Sequence, residues 1–167
     1  MRQRQPGWIS ALAAGLLWLG GCGSPPLAEE SKIYRAGDAV TIGDLTYNVT
    51  ATRILARLGD DPNRERLPGD RFYVVRLNIQ NSGSSEAPIP AMALVGDDGR
   101  VYNELTDGSG LADWLGILRT AKSGQLLEGT VLFDAPATHY RLRLTEEYAT
   151  PELSIDLPLR FGDSQPE

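Results

Sequence analysis

Few residues in this chain of 167 amino acids could carry covalent or metal chemistry. The sequence has one cysteine, Cys22, and one histidine, His139. A histidine acts as a general base only beside a nucleophile and an orienting acid, and the sequence has no Gly-x-Ser-x-Gly turn. One histidine, one cysteine and Met92 are too few donors for a transition metal. We therefore expect no catalytic residue, no enzymatic activity and no cofactor, with His139 at the surface beside Tyr140.

Oxygen ligands are clustered in one polar loop and comprise Asp60, Asp61, Asn63 and Glu65. An EF-hand loop starting at Asp61 would require glycine at its sixth position and glutamate at its twelfth. Arg66 and Phe72 stand there instead. The pattern therefore favours a solvated loop, with an irregular calcium site as the weaker alternative.

The segment before Cys22 has the layout of a secretory signal peptide. Residues 1–7 carry two arginines and no acid, and residues 8–21 are uncharged and mostly apolar. This run is shorter than the ~20 apolar residues that span a membrane. The residues Leu19-Gly20-Gly21-Cys22 resemble the lipobox of bacterial lipoproteins. The resemblance implies that residues 1–21 are cleaved and that Cys22 is acylated on its thiol and its amine, with palmitate-type chains anchoring the protein to a membrane.

Lipidation also explains why an exported chain has a single cysteine, which cannot form an internal disulfide. Gly23 follows Cys22, so the aspartate that often retains lipoproteins in the inner membrane is missing. In a source with two membranes, this predicts the periplasmic face of the outer membrane. Residues 22–32 are polar and form a tether that reaches roughly 35 Å when extended.

The remaining composition indicates one all-β domain over residues 33–162, followed by a polar tail at 163–167. Apolar residues alternate with polar ones in short runs, as in half-buried strands. The clearest sets are Leu45, Tyr47, Val49; Tyr73, Val75, Leu77, Ile79; and Tyr140, Leu142, Leu144. Gly43-Asp44 and Asp98-Gly99 predict tight hairpin turns, and the apolar phase shift near Arg53 suggests a bulge. Pro158 predicts that the last strand is either an edge strand or a late, irregular one. Strands with one apolar face each predict two packed antiparallel sheets.

Four segments in this order resemble a telokin-like, immunoglobulin-fold domain of unknown function found in bacterial lipoproteins. They are GDAVTIGDLTYNVT, RFYVVRLNIQNSG, ALVGDDGRVY and SGQLLEGTVLFDAP. The matching positions are Gly37, Val40, Gly43, Asn81, Asp98, Gly99, Tyr102, Gly124, Gly129, Val131, Phe133 and Pro136. Ser123 replaces a usual proline, and the insert between Tyr102 and Gly124 is longer than usual. The resemblance covers roughly residues 36–144 and implies an immunoglobulin-like β-sandwich, without implying an activity.

The long insert contains the best candidate for partner binding. Leu111, Trp114, Leu115 and Leu118 follow the i, i+3, i+4, i+7 spacing of a helical stripe. The preferred interpretation is a short helix that caps one open end of the sandwich and buries its stripe. The alternative is an exposed patch that binds another envelope protein or a membrane; a sheet edge could also bind such a protein.

The net charge of −6 argues against nucleic-acid binding. We therefore expect a lipoprotein of the cell envelope that acts as a non-catalytic binding or scaffolding module. Small-ligand or calcium binding is the alternative, and a hydrolase is the weaker one.

Overall fold

The computed structural model describes residues 32–59, 65–145 and 152–159. These residues form strands and no helix. No helix in this part of the chain could therefore serve as a membrane span. The strands are β1 (Ile33–Arg35), β2 (Ala39–Ile42), β3 (Leu45–Leu55), β4 (Phe72–Asn81), β5 (Ala87–Pro88), β6 (Ala93–Gly96), β7 (Val101–Asn103), β8 (Thr120–Ala121), β9 (Leu126–Asp134), β10 (Tyr140–Leu144) and β11 (Leu153–Leu157).

The strands form two main sheets that pack face to face. One sheet has the order β2-β3-β4-β9 and the other β1-β11-β10-β6-β7, while β5 and β8 form a separate pair. Alternate residues of the long strands fill the core between the sheets, as their period of two predicts. The predicted β-sandwich is confirmed.

Strand β4 is buried on both faces over its first half. Tyr73, Val75, Leu77 and Ile79 point into the main core, as predicted. On the opposite face Phe72 and Val74 join a second apolar cluster with Leu58 and Leu132. Leu105 and Leu111 of the long insert pack against this cluster, so the insert covers part of the outer face of the sheet.

Both predicted hairpin turns are confirmed. Gly43-Asp44 joins β2 to β3, and Asp98-Gly99 lies in the β6–β7 turn. Gly99 has a φ of 79°, which residues with a Cβ rarely adopt. The predicted irregularity in β3 also exists, as a register shift between Val49 and Ala51, slightly before the position suggested by the sequence.

Of the two alternatives for the last strand, an edge strand or a late, irregular one, the edge strand is wrong. Strand β11 lies between β10, to which it is antiparallel, and β1, to which it is parallel. Pro158 follows β11, so its missing N–H removes no bond from the strand. The sheet is therefore mixed, with one parallel pair.

Strand directions define two ends of the sandwich. We call one end proximal: it is the end at which β1 and β11 start and at which Leu45 of β3 pairs with Asn81 of β4. The opposite end is called distal. At the distal end, Pro158 after β11 accepts hydrogen bonds from Thr52 Oγ1 at 3.1 Å and Tyr73 Oη at 3.2 Å. Because Thr52 and Tyr73 belong to the far half of β3 and the start of β4, both sheets share these two ends.

Candidate functional site

The insert over residues 105–118, called the β9 flap below, closes the open edge of β9. Leu105 N–H donates to Leu132 O at 2.7 Å, and Leu115 N–H donates to Thr130 O at 3.0 Å. In return, Thr130 N–H donates to Asp113 O at 2.8 Å. An uncovered edge strand offers unpaired backbone groups to other chains, and these bonds use several of them.

The predicted helix in the flap is wrong, because the described residues there form turns and an isolated bridge between Trp114 and Thr130. Its predicted location is also wrong, because the segment is bonded along the edge of β9 and does not cap an open end of the sandwich. Gly110 and Gly116 have φ values of 94° and 75°, outside the helical region. The carboxylate of Asp107 accepts from Ser109 N–H at 2.9 Å and so caps a turn. The backbone groups of the flap form hydrogen bonds with β9, whereas the backbone groups of a helix would bond to the preceding turn of the same helix.

The four residues of the predicted stripe separate into two groups. Leu111 and Leu115 are partly buried against the sandwich, and Trp114 is partly buried. The Trp114 ring lies directly over Gly108, where an added Cβ would be 2.1 Å from the indole. Leu118 is 97% exposed and the neighbouring Ile117 is 39% exposed. The flap therefore packs onto the sandwich through Leu111 and Leu115, and it presents an apolar pair, Ile117 and Leu118, to solvent.

A buried ion pair holds the base of the flap. The Glu104 and Arg119 side chains are 1% and 3% exposed, with Nη1–Oε1 at 2.5 Å and Nη2–Oε2 at 2.8 Å. Arg119 also donates to the carbonyls of Gly116 and Pro90, and Glu104 accepts from Met92 N–H at 3.1 Å. The guanidinium fork fits this bidentate arrangement. No local sequence pattern predicts the pair, because Glu104 and Arg119 belong to no motif and are separated by the long insert.

His139 joins three elements at the distal end. Its Nδ1 lies 3.1 Å from Asp97 Oδ2 in the β6–β7 turn, and its Nε2 lies 2.8 Å from Asp156 Oδ1 in β11. Partial burial lowers the pKa of His139, but the hydrogen bonds to the two aspartates raise it by more, so the pKa lies above its ordinary value of 6.5. When the imidazole is protonated, both ring nitrogens can donate to these carboxylates, and we call this arrangement the histidine clamp.

Beside the clamp is a surface cavity of about 320 Å³, lined by Asp97, Asp98, Arg100, Tyr102, Thr138 and Tyr140, among others. Tyr102 and Tyr140 meet edge to face with ring centroids 5.5 Å apart. Arg100 Nε pairs with Asp98 at 2.5 Å, and Tyr140 Oη donates to Pro136 O at 2.9 Å. Several polar groups of the cavity are thus bonded within the protein, while the two aromatic rings form a wall.

The calcium ligands and the lipidation site lie largely outside the described residues. Asp60, Asp61, Asn63 and Cys22 belong to segments that the structure does not describe. Glu65 is described, and it pairs with Arg57 Nη1 at 2.9 Å. Within the described ranges, no group of three or more His, Cys, Asp or Glu side chains is arranged to hold a metal.

Two asparagine side chains fix turns beside the strands. Asn48 Nδ2 donates to Gly37 O at 2.7 Å and links β3 to the turn before β2. Asn81 has a similar structural function at the end of β4. Its Nδ2 donates to Ser85 O at 2.7 Å and Ala121 O at 2.8 Å, and its Oδ1 accepts from Gly83 N–H at 2.8 Å.

Known structures share the fold of this chain. A secreted protein of Mycobacterium tuberculosis, MPT63, has a TM-score of 0.56 at 13% identity, over 81% of this chain and 100% of that one. The yjhA protein of Bacillus subtilis has a TM-score of 0.55 at 12% identity, over 75% and 99% of the two chains. An uncharacterised β-sandwich protein of Clostridium difficile has a TM-score of 0.52 at 12% identity, over 80% and 100%. At these identities the likeness shows the fold alone.

No curated protein matches the sequence. A family model does match, over residues 34–153, and its description is "Domain of unknown function (DUF4352)". The match covers well over half of the chain and includes every strand from β2 to β10 in full. The sequence resemblance to a β-sandwich domain of unknown function is thereby confirmed at the level of the family, and the chain belongs to the DUF4352 family.

Proposed function

We propose that this protein is a lipid-anchored module of the bacterial cell envelope that binds another envelope protein through Ile117 and Leu118 and catalyses no reaction. The observation that carries the binding function is the exposure of Leu118, which is 97%, on a flap whose neighbouring residues are held in place. Asp113 and Leu115 are bonded to β9, and Arg119 is fixed by Glu104. A preorganised apolar pair loses little conformational entropy on binding, which favours affinity.

The anchor is supported by the sequence of the first 22 residues. A signal-peptide layout and the Leu-Gly-Gly-Cys stretch precede the polar tether. MPT63, whose fold is similar, is a secreted protein, which agrees with an exported domain. Where two membranes exist, we propose the periplasmic face of the outer membrane as the location. We also take the sandwich to be of the telokin-like immunoglobulin type.

The state of the one histidine supports a function without catalysis. A general base needs a free lone pair on a ring nitrogen, and both nitrogens of His139 face carboxylates. The Glu104–Arg119 pair is also buried, and Arg119 is hydrogen-bonded to the backbone around it. We therefore assign this pair a structural function and no catalytic one.

A photo-crosslinking amino acid at position 118, in cells producing the lipidated protein, tests the binding function. Position 159 is the matched control, since Leu159 is also an exposed leucine, at 45%, but follows β11 in the other sheet. We expect one discrete crosslinked product from position 118 and none of that size from position 159. Equal crosslinking patterns at both positions would refute binding through Leu118. Separately, Cys22→Ser should move the protein to the soluble fraction and remove the lipid adduct seen by mass spectrometry.

A second candidate function is small-ligand binding in the cavity beside His139, favoured by the aromatic wall of Tyr102 and Tyr140. A ligand there would change the NMR signal of His139, which is the only histidine. Screening a mixture of small organic ions against this signal tests the idea. An unchanged signal and unchanged tyrosine resonances across the mixture would rule it out for those compounds.

A further inference from the structure

The proximal end of the sandwich carries two exposed apolar residues at opposite corners. Ile33 opens β1, an outer strand of the five-stranded sheet, and is 53% exposed. Leu126 opens β9, an outer strand of the four-stranded sheet, and is 52% exposed. Leu126 pairs with Gln80 near the end of β4, which places it at the same end as Ile33.

Each apolar corner has a lysine beside it. Lys32 precedes Ile33 and its Nζ lies 4.7 Å from the centre of the Tyr34 ring. Lys122 lies in the exposed turn before Leu126. These are the only two lysines of the sequence. Lysine beside an apolar side chain suits a membrane interface, because the amine can reach the headgroups while the aliphatic parts are buried.

The length of chain before the domain limits what can face this end. Only eleven residue steps separate Cys22 from Ile33, which span at most about 40 Å. Strand β3, with 11 residues, is itself about 36 Å long at ~3.3 Å per residue. A lipid on Cys22 therefore keeps the proximal end within about 40 Å of the bilayer. The distal end could touch the bilayer only if the tether ran back along the whole domain at almost its full length.

We infer that the proximal end rests on the phospholipid bilayer that holds the anchor, with Ile33 and Leu126 at the headgroup–acyl boundary and the distal cavity facing away from it. This inference rests on the proposed lipidation of Cys22. Asp44, Glu86 and Glu152 are also exposed at the proximal end. Asp44 and Glu86 offset the two lysines, and Glu152 lies 3.8 Å from Arg143. The contact is therefore apolar, and zwitterionic phospholipid is sufficient for it.

Single introduced cysteines test this orientation, because acylation of Cys22 leaves no other thiol in the mature chain. The variants are Ile33→Cys and Leu126→Cys at the proximal end, with Leu67→Cys as the control from the loop before Phe72 at the distal end. Each lipidated full-length protein is labelled with bimane and reconstituted into phosphatidylcholine vesicles that contain nitroxide-labelled lipid. Quenching requires the probe to reach the interface, so we expect about half of the bimane fluorescence to be lost at positions 33 and 126 and less than about a tenth at position 67.

Equal quenching at positions 67 and 126, in protein that floats with the vesicles, would overturn the orientation and leave the anchor intact. A different result would show that the proposed function, and not only the orientation, is wrong. If the protein does not float with vesicles and bimane also labels Cys22, the anchor is absent, and both the lipoprotein assignment and the orientation are wrong. Labelling at both position 33 and position 126 guards against a local effect of either substitution.

Discussion

The Leu115 side chain occupies the space that a side chain at position 129 would need. A Cβ added to Gly129 would lie 2.6 Å from Leu115 Cδ2 and 2.6 Å from the backbone oxygen of Asp113. The absence of a side chain in β9 thus lets the flap approach the strand and insert Leu115 against the main core. The glycine in the GTVLF stretch is explained by this close approach of two backbones.

Gly129→Ala should therefore destabilise the protein by about 1–3 kcal/mol, as overpacking in a closed core does. The measurement is the free energy of unfolding in urea. Combined with Leu115→Ala, part of the clash disappears, so the double variant should lose less stability than the two single variants together. Strict additivity, or a neutral Gly129→Ala, would show that the flap does not pack as described.

Breaking the buried ion pair should have a larger effect. Glu104→Gln or Arg119→Met leaves one buried charge without its partner, which typically costs about 3–5 kcal/mol. The double variant Glu104→Leu with Arg119→Met removes both charges and should lose far less than the sum of the single losses. Urea unfolding measures all of these variants, and hydrogen exchange of the Leu115 amide reports whether the flap detaches.

The Arg119→Lys variant is the control for geometry, because it keeps the positive charge but not the fork. A lysine cannot reach both oxygens of Glu104 and two carbonyls at once. If Arg119→Lys were as stable as the unchanged protein, charge alone would explain the pair, and the bidentate geometry would have no function.

The histidine clamp predicts a pH dependence of stability. The folded-state pKa of His139 is raised, so its contribution is fully present below the unfolded value near 6.5 and is lost as the pH rises through the folded value. The thermal midpoint should fall over this range, and His139→Gln should remove the step. Because the chain has one histidine, an NMR titration gives its pKa directly. A measured value at or below 6.5 would contradict the clamp.

Replacing the side-chain amide of Asn81 should destabilise the folded protein, because the amide donates two hydrogen bonds to backbone carbonyls. Asn81→Asp replaces the donating amide with an oxygen and leaves the carbonyls of Ser85 and Ala121 facing a carboxylate. Each buried group without a partner costs about 1–3 kcal/mol. Asn78→Asp, on the more exposed opposite face of the same strand, is the control and should change the unfolding midpoint little.

The strand pattern can be predicted from the sequence because its causes are local. Leu77 and Ile79 alternate with the polar residues Arg76, Asn78 and Gln80, and a strand places alternate residues on one face wherever it lies in the fold. Asp98-Gly99 is a turn because of its own backbone preferences. A single cysteine after an apolar run likewise predicts lipidation from nearby residues alone. These local signals are enough to predict the half-buried strands of the β-sandwich, while the lipid anchor stays a prediction.

Features that depend on distant partners follow from the packing of the folded chain. The stripe from Leu111 to Leu118 has helical spacing, but the backbone of this segment forms hydrogen bonds with the edge of β9. A short helix that contained Gly110 and Gly116 would be less favourable than these bonds. His139 meets Asp97 across 42 residues of sequence, and Arg119 meets Glu104 across 15. Periodicity describes which face a side chain takes, and it contains no information on which distant group shares that face.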